Sequence, residues 1–295
     1  MPIVCLITDP ASPVLDSATV DHVRAALPSA GEATWLADGE AAEFAVPEEA
    51  GSGDAIEARA RQSLGEMRVD VAVVPDEGRR KQLLVADMDS TIIGQECIDE
   101  LADHVGLRDG VAAITERAML GELPFEDALR ERVALLRGLE IAVVDETLAE
   151  RIQLTSGAKT LVRTMRANGA RAALVSGGFT AFTAAIAADV GFDEHRANEL
   201  IVEDSRVVGV AEPIRGKEAK LEALRDLATR HGLPLAAALA VGDGANDLAI
   251  VEAAGLGVAY HAKPALRAKA DARIDHGDLT ALLYLQGYRK EEFSR

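Results

Sequence analysis

The alternation of apolar and polar positions in the first 80 residues predicts a small α/β unit. Four strand patterns and two helical patterns follow one another there, in the order IVCLIT, ATVDHVRAAL, EATWLA, AEFAV, DAIEARARQSL and VDVAVV. This order is βαββαβ, the split-βαβ arrangement. The polar stretch PDEGRRK (75–81) is typical of a linker. The sequence therefore predicts an N-terminal α+β domain over residues 1–78.

From residue 79 onward the pattern of apolar and polar positions is a different one. Short apolar runs recur and are mostly separated by helical stretches; the runs are LLVA (83–86), RAALV (171–175), LAV (239–241) and LGVAY (256–260). Strands that alternate with helices are typical of a parallel sheet with helices on its faces. The sequence therefore predicts an α/β fold over residues 79–295, a doubly wound, Rossmann-like parallel sheet, with a hairpin at 200–212.

The segment at about 95–156 interrupts this alternation, because it shows helical patterns and no convincing strand. Four of its stretches fit helices: ECIDELADHVG, VAAITERAML, FEDALRERVALLRGL and VVDETLAERI. The segment follows the first core strand, at the end of the sheet where α/β folds bind ligands. We therefore predict a helical cap over a site at that edge.

Polar residues follow three of the core strands where their apolar runs stop. Asp87 and Asp89 follow the first, SGG (176–178) the second and GDGAND (242–247) the third. Each group alone has a plainer explanation, as a helix cap, a turn or a calcium-like loop. Because parallel strands end at one edge of a sheet, all three groups should meet there.

Composition narrows the class of ligand. The net charge of −18 disfavours binding to nucleic acid or to an anionic membrane. No apolar run is long enough to span a membrane, and the start MPIVCLITDP does not resemble a signal peptide. With only two cysteines, Cys5 and Cys97, the chain is expected to be cytoplasmic with free thiols.

The pair Asp87 and Asp89 predicts a metal ion. Two carboxylates this close repel each other unless a positive charge lies between them. Asp243 and Asp247 would join them in a cluster of hard oxygen ligands, which suits Mg²⁺ together with a substrate phosphate. No spacing of His or Cys suggests zinc. A bound cation would also let an acidic protein attract an anionic substrate.

The motifs DMDST (87–91), SGG, a lysine-bearing helix start and GDGAND resemble the four motifs of the haloacid dehalogenase-like (HAD) phosphatases. The longer pattern from Leu83 to about Asp278 resembles the phosphoserine phosphatases of that superfamily. The resemblance implies an enzyme that hydrolyses O-phosphoserine to serine and phosphate with Mg²⁺, through an aspartyl-phosphate. That reaction is the last step of serine biosynthesis.

The resemblance also implies the catalytic residues. Asp87 would be the nucleophile, and Asp89 would be the general acid and then the base that activates water. Lys220 would neutralise charge on the transferring group, with Lys217 as its competitor; the spacing to Asp243 favours Lys220.

The implied metal and phosphate ligands come from the same motifs. Mg²⁺ would bind the side chain of Asp87, the backbone carbonyl of Asp89 and the side chain of Asp243, with support from Asp247. The residues that would hold the phosphate and the rest of the substrate at this end are Ser176, Gly177, Lys220 and Asn246.

Substrate choice is expected from the cap. By resemblance, Glu96 would pair with the ammonium of phosphoserine, Arg132 would bind its carboxylate, and Phe125 would provide apolar cover. Without the resemblance, charges on amphipathic helices are most often solvated, and Arg130 and Arg137 are interpreted in that way.

Three alternatives stay open at the level of sequence. The substrate could be another small phosphomonoester, or the phosphoryl group could pass to an acceptor alcohol such as homoserine. The chain could instead be a noncatalytic amino-acid sensor. The N-terminal domain resembles small regulatory domains of some relatives, which would give it a role in effector binding or in homodimer formation.

Overall fold

The computed structural model describes residues 1–119 and 122–294. Its strands are, in chain order, β1 (Pro2–Ile7), β2 (Thr34–Ala37), β3 (Ala41–Ala45), β4 (Asp70–Pro75), β5 (Leu83–Ala86), β6 (Arg171–Phe179), β7 (Glu194–Asn198), β8 (Leu200–Glu203), β9 (Arg206–Val210), β10 (Ala238–Gly242), β11 (Leu256–Tyr260) and β12 (Ala272–Ile274). Its helices are α1 (Ser17–Ala25), α2 (Gly53–Leu64), α3 (Cys97–His104), α4 (Arg108–Met119), α5 (Phe125–Leu135), α6 (Ala142–Glu150), α7 (Ala158–Ala167), α8 (Thr180–Val190), α9 (Lys217–Arg230), α10 (Leu248–Ala253), α11 (Pro264–Arg267) and α12 (Ala281–Leu285).

The larger sheet is parallel and has six strands in the order β12-β11-β10-β5-β6-β7. β5 lies in the middle, between β10 and β6. The strand LLVA is apolar at every position because both faces of the sheet are covered. Leu83 and Val85 pack on the side of α9 and α10, whereas Leu84 and Ala86 belong to the cluster on the opposite side. The predicted α/β class is confirmed.

The N-terminal residues form a separate antiparallel sheet of four strands, in the order β2-β3-β1-β4. Together with α1 and α2 they have the predicted order βαββαβ. The two helices cover one face of this sheet, where Val4 and Leu6 of β1 pack with Val20 and Ile56. This small α+β unit is therefore confirmed.

The other face of the N-terminal sheet joins the main hydrophobic core. Ile3, Cys5 and Ile7 of β1 share a buried cluster with Tyr284 of α12. β1 is apolar along its length because both its faces are buried. The division of the chain at residues 78 and 79 stays a prediction.

Residues 75–81, predicted as a linker, lack regular structure beyond β4 but are firmly anchored. Arg79 donates to Glu43 Oε2 at 2.6 Å, and its side chain is only 8% exposed. Lys81 is buried and donates to the carbonyl of Ala236 at 3.0 Å. The segment thus fixes the N-terminal sheet against the parallel sheet instead of connecting them loosely.

Helices α3 to α6 lie between β5 and α7, as the sequence predicted for residues 95–156. The helix predicted from VAAITERAML lies within α4, except that Leu120 falls outside the described residues. β8 and β9 form the predicted hairpin. Gly138, in the loop after α5, donates to the carbonyl of Val207 at 2.8 Å, which joins the hairpin to the inserted helices. None of the described helices has the length and apolar character needed to cross a bilayer.

Candidate active site

The polar groups predicted to meet at the sheet edge are in contact. Asp87 follows β5, Ser176 lies near the end of β6, and Asp243 follows β10. The Ser176 hydroxyl donates to Asp89 Oδ2 at 3.2 Å, and Asn246 Nδ2 lies 3.5 Å from Asp87 Oδ2. These contacts join residues far apart in sequence because β10, β5 and β6 are neighbours.

Asp87 is buried and held from two sides. Its Oδ1 accepts the backbone N–H of Met88 at 2.8 Å and lies 2.7 Å from Nζ of Lys220. Among the described residues, its Oδ2 has only the long hydrogen bond from Asn246, and the carboxylate lines a pocket. Oδ1 is therefore fixed, whereas Oδ2 is available to react with a substrate.

Lys220 lies in the first turn of α9 and is 2% exposed. Its ammonium also contacts Asp247 Oδ1 at 2.6 Å. Burial alone would lower the pKa of Lys220, but the charges of Asp247 and Asp87 outweigh it and raise that pKa. Lys217, its competitor in the sequence interpretation, faces solvent beside Glu218.

Three carboxylates form a buried cluster beside Lys220. One oxygen each from Asp87, Asp243 and Asp247 lies within 4.8 Å of the others. Burial, and then the charge of Asp87, raise the pKa of both Asp243 and Asp247. These are hard oxygen donors of the kind that Mg²⁺ prefers, and the three carboxylates outnumber the ammonium groups of Lys220 and Lys263 beside them, so the residues fit a divalent cation.

The turn that carries the cluster depends on Gly242. A Cβ atom at this position would lie 2.3 Å from Cγ of Asp247. Asp247 is fully buried, and its Oδ2 accepts the N–H of Gly244 at 3.2 Å. The glycine thus allows the third carboxylate to fold back against the end of β10.

The side chain of Asp89 is not part of this cluster and bonds to other groups. Its Oδ1 accepts the N–H of Cys97 at 2.8 Å, and its Oδ2 accepts from Ser176. Burial, followed by the charge of Asp87, raises the pKa of Asp89 to about 6, although both hydrogen bonds act in the opposite direction. The two aspartates of DMDST therefore lie in different surroundings, one beside an ammonium and one beside neutral donors.

Glu96 lies at the mouth of the site, just before α3. It accepts a hydrogen bond from the hydroxyl of Ser90 at 2.8 Å, and Ser90 has a left-handed backbone with φ of 54°. The carboxylate keeps contact with solvent, but many protein atoms surround it. Because these atoms displace water, and because Asp89 adds negative charge, the pKa of Glu96 is raised to about 7.

A pocket of about 480 Å³ joins the sheet edge to the inserted helices. Arg132 of α5 is on its wall, and its Nε donates to the carbonyl of Ala128 at 3.3 Å. Burial lowers the pKa of Arg132, and no carboxylate of the described residues forms an ion pair with it. The pocket thus contains a partly buried guanidinium that is available to an anionic group.

Phe125, at the start of α5, lines the pocket close to the end of β6. A Cβ atom added to Gly177 would lie 3.2 Å from Cζ of Phe125, and one added to Gly216 would lie 3.4 Å from its Cδ1. The ring therefore packs over the backbone of two glycines at the edge of the sheet. This close approach brings an inserted helix directly onto the end of β6.

All the residues predicted for the site are near this pocket, in two groups. Those that line it are Asp87, Asp89, Glu96, Phe125, Arg132, Gly177, Asp243 and Asn246. Ser176 and Lys220 lie next to it and bond to Asp89 and Asp87, and Asp247 bonds to Lys220 within 4.8 Å of Asp87 and Asp243. The structure brings the predicted residues together.

The sequence interpretation missed two residues of the site. Lys263 lines the pocket with its Nζ 3.7 Å from Asp243 Oδ2; it follows β11, so its place after a core strand was a usable signal. Asn198 donates to the carbonyl of Gly177 at 2.8 Å and accepts from the N–H of Arg215 at 2.6 Å. It ends β7, a strand that was not predicted.

Comparison with known proteins is consistent with this geometry. Residues 84–252 match the family model of the haloacid dehalogenase-like hydrolases. The chain belongs to the haloacid dehalogenase-like hydrolase family. It is 46% identical over 231 residues to the phosphoserine phosphatase SerB2 of Mycobacterium tuberculosis, a match that covers 77% of this chain and 56% of that protein. The chain therefore spans little more than half the length of that relative.

Two solved structures are also similar. A HAD family hydrolase from Salmonella enterica subsp. enterica serovar Typhi superposes with a TM-score of 0.86 at 28% identity, over 97% of this chain and 98% of that one. A phosphoserine phosphatase described as a phospho-aspartyl intermediate analogue superposes with a TM-score of 0.64 at 40% identity, over 70% of this chain and 98% of that one. The first similarity includes the N-terminal sheet, because it extends over nearly the whole chain.

Proposed function

We propose that this protein hydrolyses O-phosphoserine to serine and phosphate, with Mg²⁺ as cofactor and a phosphoryl intermediate on Asp87. One observation carries the proposal: a single pocket combines a carboxylate fixed by Lys220 with the charged side chains of Glu96 and Arg132. Phosphoserine has a phosphate, an ammonium and a carboxylate. The ammonium and the carboxylate each find a residue of opposite charge in that pocket, Glu96 and Arg132, and the phosphate would lie at Asp87, whose charge Lys220 offsets.

Asp87 is the proposed nucleophile. Its Oδ2 attacks phosphorus, the bond between phosphorus and the serine oxygen breaks, and Asp89 gives its proton to that oxygen. In the second step Asp89 takes a proton from water, the water oxygen attacks phosphorus, and phosphate leaves Asp87. Lys220 supports both steps, because its ammonium reduces the repulsion between the carboxylate and the phosphate dianion.

The proposed metal ligands are the side chains of Asp87, Asp243 and Asp247, together with the backbone carbonyl of Asp89. Mg²⁺ bound there would supply positive charge that offsets the phosphate oxygens and aligns them for attack. Lys220 neutralises part of the acidic cluster without occupying the pocket itself, since it lies next to it.

Binding of the amino-acid part is assigned to residues near or on the inserted helices. Glu96 would pair with the ammonium, and Arg132 would bind the carboxylate through its planar fork. Phe125 would exclude water above the reacting phosphate, which the hydroxyl of Ser176 and the N–H of Gly177 would hold from below. The unpaired guanidinium of Arg132 is the contact that most favours an amino-acid phosphate over other phosphomonoesters.

The names of similar proteins support this assignment. The relative from Mycobacterium tuberculosis and the structure superposed at 40% identity are both phosphoserine phosphatases. A place at the end of serine biosynthesis, a cytoplasmic location and an N-terminal role in effector binding or homodimer formation all stay predictions. The separation into domains at 1–78 and 79–295, with a cap at about 95–156, is proposed as well.

The test is a panel of phosphomonoesters with the full chain and Mg²⁺, combined with trapping of labelled phosphate on the protein. We expect phosphoserine to have the highest kcat/KM, and acid quenching to leave label on Asp87. Asp87→Asn should lose at least about 10⁴-fold in kcat and carry no label. Faster turnover of sugar phosphates would refute the substrate, and full activity of Asp87→Asn would refute the nucleophile.

The same panel separates the alternatives. Adding homoserine would divert label from free phosphate to a phosphorylated alcohol if the chain were a phosphotransferase. A noncatalytic sensor would bind serine without turning over any member of the panel. Either result would replace hydrolysis as the proposed function.

A further inference from the structure

The N-terminal sheet contributes a buried carboxylate that the proposed chemistry does not use. Asp70 begins β4 and is 1% exposed. Its Oδ1 accepts the N–H of Asp275 at 2.8 Å, and its Oδ2 accepts those of His276 at 3.1 Å and Gly277 at 2.7 Å. No basic side chain of the described residues pairs with it. The carboxylate is thus satisfied by three consecutive backbone N–H groups of the loop after β12.

This bonding fixes the loop closely. A buried ionised carboxylate is costly unless it is well hydrogen-bonded, so the three donors and the acceptor must stay together. The loop also approaches Asp70 tightly, because a Cβ atom on Gly277 would lie 3.3 Å from Asp70 Oδ2. The position of residues 275–277 therefore depends on a side chain of the N-terminal sheet.

A second loop connects this anchor to the candidate metal cluster. His261 follows β11, and its Nε2 donates to the carbonyl of Gly277 at 3.0 Å. Its own N–H donates to the carbonyl of Ile274 at 2.8 Å. Two residues further on, the N–H of Lys263 donates to the backbone carbonyl of Asp243 at 2.8 Å.

His261 has a strained backbone that needs such support. Its φ of 43° lies in the left-handed region, which a residue with a side chain adopts at a cost. The hydrogen bond from its ring and the edge-to-face contact with Tyr260, with ring centroids 4.4 Å apart, hold it there. The turn at His261 sets the direction in which the chain continues to Lys263 and reaches Asp243.

We propose that Asp70 and His261 are positioning residues for the candidate metal ligand Asp243. Asp70 fixes the loop at 275–277, that loop fixes the turn at His261, and the turn places the N–H of Lys263 on the carbonyl of Asp243. The N-terminal sheet thereby contributes to metal affinity without touching the metal site. This inference rests on the proposed function in one respect, which is that Asp243 binds Mg²⁺.

The test measures Mg²⁺ binding to the metal-free chain of 295 residues by titration calorimetry, with the Mg²⁺-dependent rise in Tm as a second readout. Asp70→Asn keeps the size of the side chain but replaces one acceptor oxygen by an N–H₂ group that faces donors. Outer-sphere partners of metal ligands change affinity by about 10- to 100-fold. Because Asp70 acts from further away, we expect the Kd for Mg²⁺ to rise by about fivefold to tenfold in Asp70→Asn.

His261 supplies a matched pair of variants. Leu and Gln are equally strained at this φ, but only Gln can donate to Gly277. We expect His261→Leu to weaken Mg²⁺ binding as Asp70→Asn does, and His261→Gln to keep the Kd within about twofold of the wild type. If the residues act in series, the double variant Asp70→Asn/His261→Leu should bind Mg²⁺ about as well as the weaker single variant.

Glu57→Gln is the control for a purely structural effect. Glu57 of α2 also ties the N-terminal unit to β12, through Arg273 at 2.9 Å, but it bonds neither to the loop at 275–277 nor to His261. We expect this variant to lose stability and to keep the Kd for Mg²⁺ of the wild type. Folded Asp70→Asn and His261→Leu proteins with the wild-type Kd, or additive effects in the double variant, would overturn the inference.

The test of the positioning role can fail or succeed independently of the test of phosphoserine hydrolysis. A wild-type chain that binds Mg²⁺ and shows these changes, yet does not hydrolyse phosphoserine, would support the positioning role and refute the substrate. A wild-type chain that binds no Mg²⁺ would refute the metal assignment and this inference together. A chain that hydrolyses phosphoserine with unchanged Kd in all variants would refute the inference alone.

Discussion

The ammonium of Lys220 lies 2.7 Å from Oδ1 of Asp87, and both side chains are almost completely buried. The same ammonium is shared with Asp247. The three carboxylates of the acidic cluster outnumber the buried ammonium of Lys220 and the more exposed one of Lys263, which lies 3.7 Å from Asp243 Oδ2, so negative charge is left that a cation would offset. The contact therefore orients the proposed nucleophile and leaves the cluster with the charge that a metal ion requires.

Removal of Lys220 is predicted to be costly even before catalysis is considered. Lys220→Met would leave Asp87 and Asp247 buried without their cation, and breaking a buried ion pair costs about 3–5 kcal/mol. We expect the free energy of unfolding in chelator to fall by about that amount, measured by urea denaturation. Added Mg²⁺ should restore part of it, because a new cation reaches the same carboxylates.

Lys217→Met is the control, since this lysine lies on the same helix but faces solvent. Its effect should stay within about 0.5 kcal/mol. Equal stability losses in the two variants would show that the charge contact is not the cause.

Arg132 is predicted to select the substrate. Arg132→Met removes the unpaired guanidinium of the pocket, and a hydrogen bond to a charged group is worth about 1.5–3 kcal/mol. We expect KM for phosphoserine to rise by about 10- to 100-fold, with a change of less than about threefold for an aryl phosphate. Arg130→Met, on the outer side of α5 with Asp127 and Glu212 as partners, should alter neither KM. Equal changes for both substrates would contradict the role of Arg132.

The dependence on pH is predicted to differ between these two substrates. Glu96 has a pKa raised to about 7, so it loses its charge as the pH falls through that value. Below it, kcat/KM for phosphoserine should fall relative to kcat/KM for the aryl phosphate, which has no ammonium to bind. The ratio of the two kcat/KM values cancels the ionisation of enzyme groups that act on both substrates. Glu96→Gln should make the ratio independent of pH, and a ratio that still fell would exclude Glu96 as the group responsible.

Contact between Phe125 and Gly177 is predicted to limit the size of residue 177. Gly177→Ala places a methyl group 3.2 Å from Cζ of Phe125, so the ring and its helix must shift. We expect kcat/KM to fall by about fivefold. Combining it with Phe125→Leu, which removes the clashing ring atoms, should show a coupling energy of at least about 0.5 kcal/mol in a double-mutant cycle. Additive effects would show that the ring does not limit this position.

Much of the parallel sheet could be predicted because its strands carry a strong local signal. The run LLVA (83–86) is buried on both faces, so it is apolar throughout, and polar residues follow where the strand ends. β7 (Glu194–Asn198) and β12 (Ala272–Ile274) were missed for the opposite reason. The first is a polar edge strand and the second has only three residues, so neither shows a run or an alternation long enough to recognise.

The sequence by itself determined which residue types meet at the sheet edge, because parallel strands end on one side and a polar group follows each of three apolar runs. Only the tertiary structure decided that Lys220 faces Asp87, that Lys263 and Asn198 join the site, and that Asp70 bonds to residues 275–277. Such contacts join positions distant in sequence. These contacts depend on the directions of side chains and on how the two sheets pack. Neither the side-chain directions nor the packing of the sheets produces a periodic pattern in the sequence.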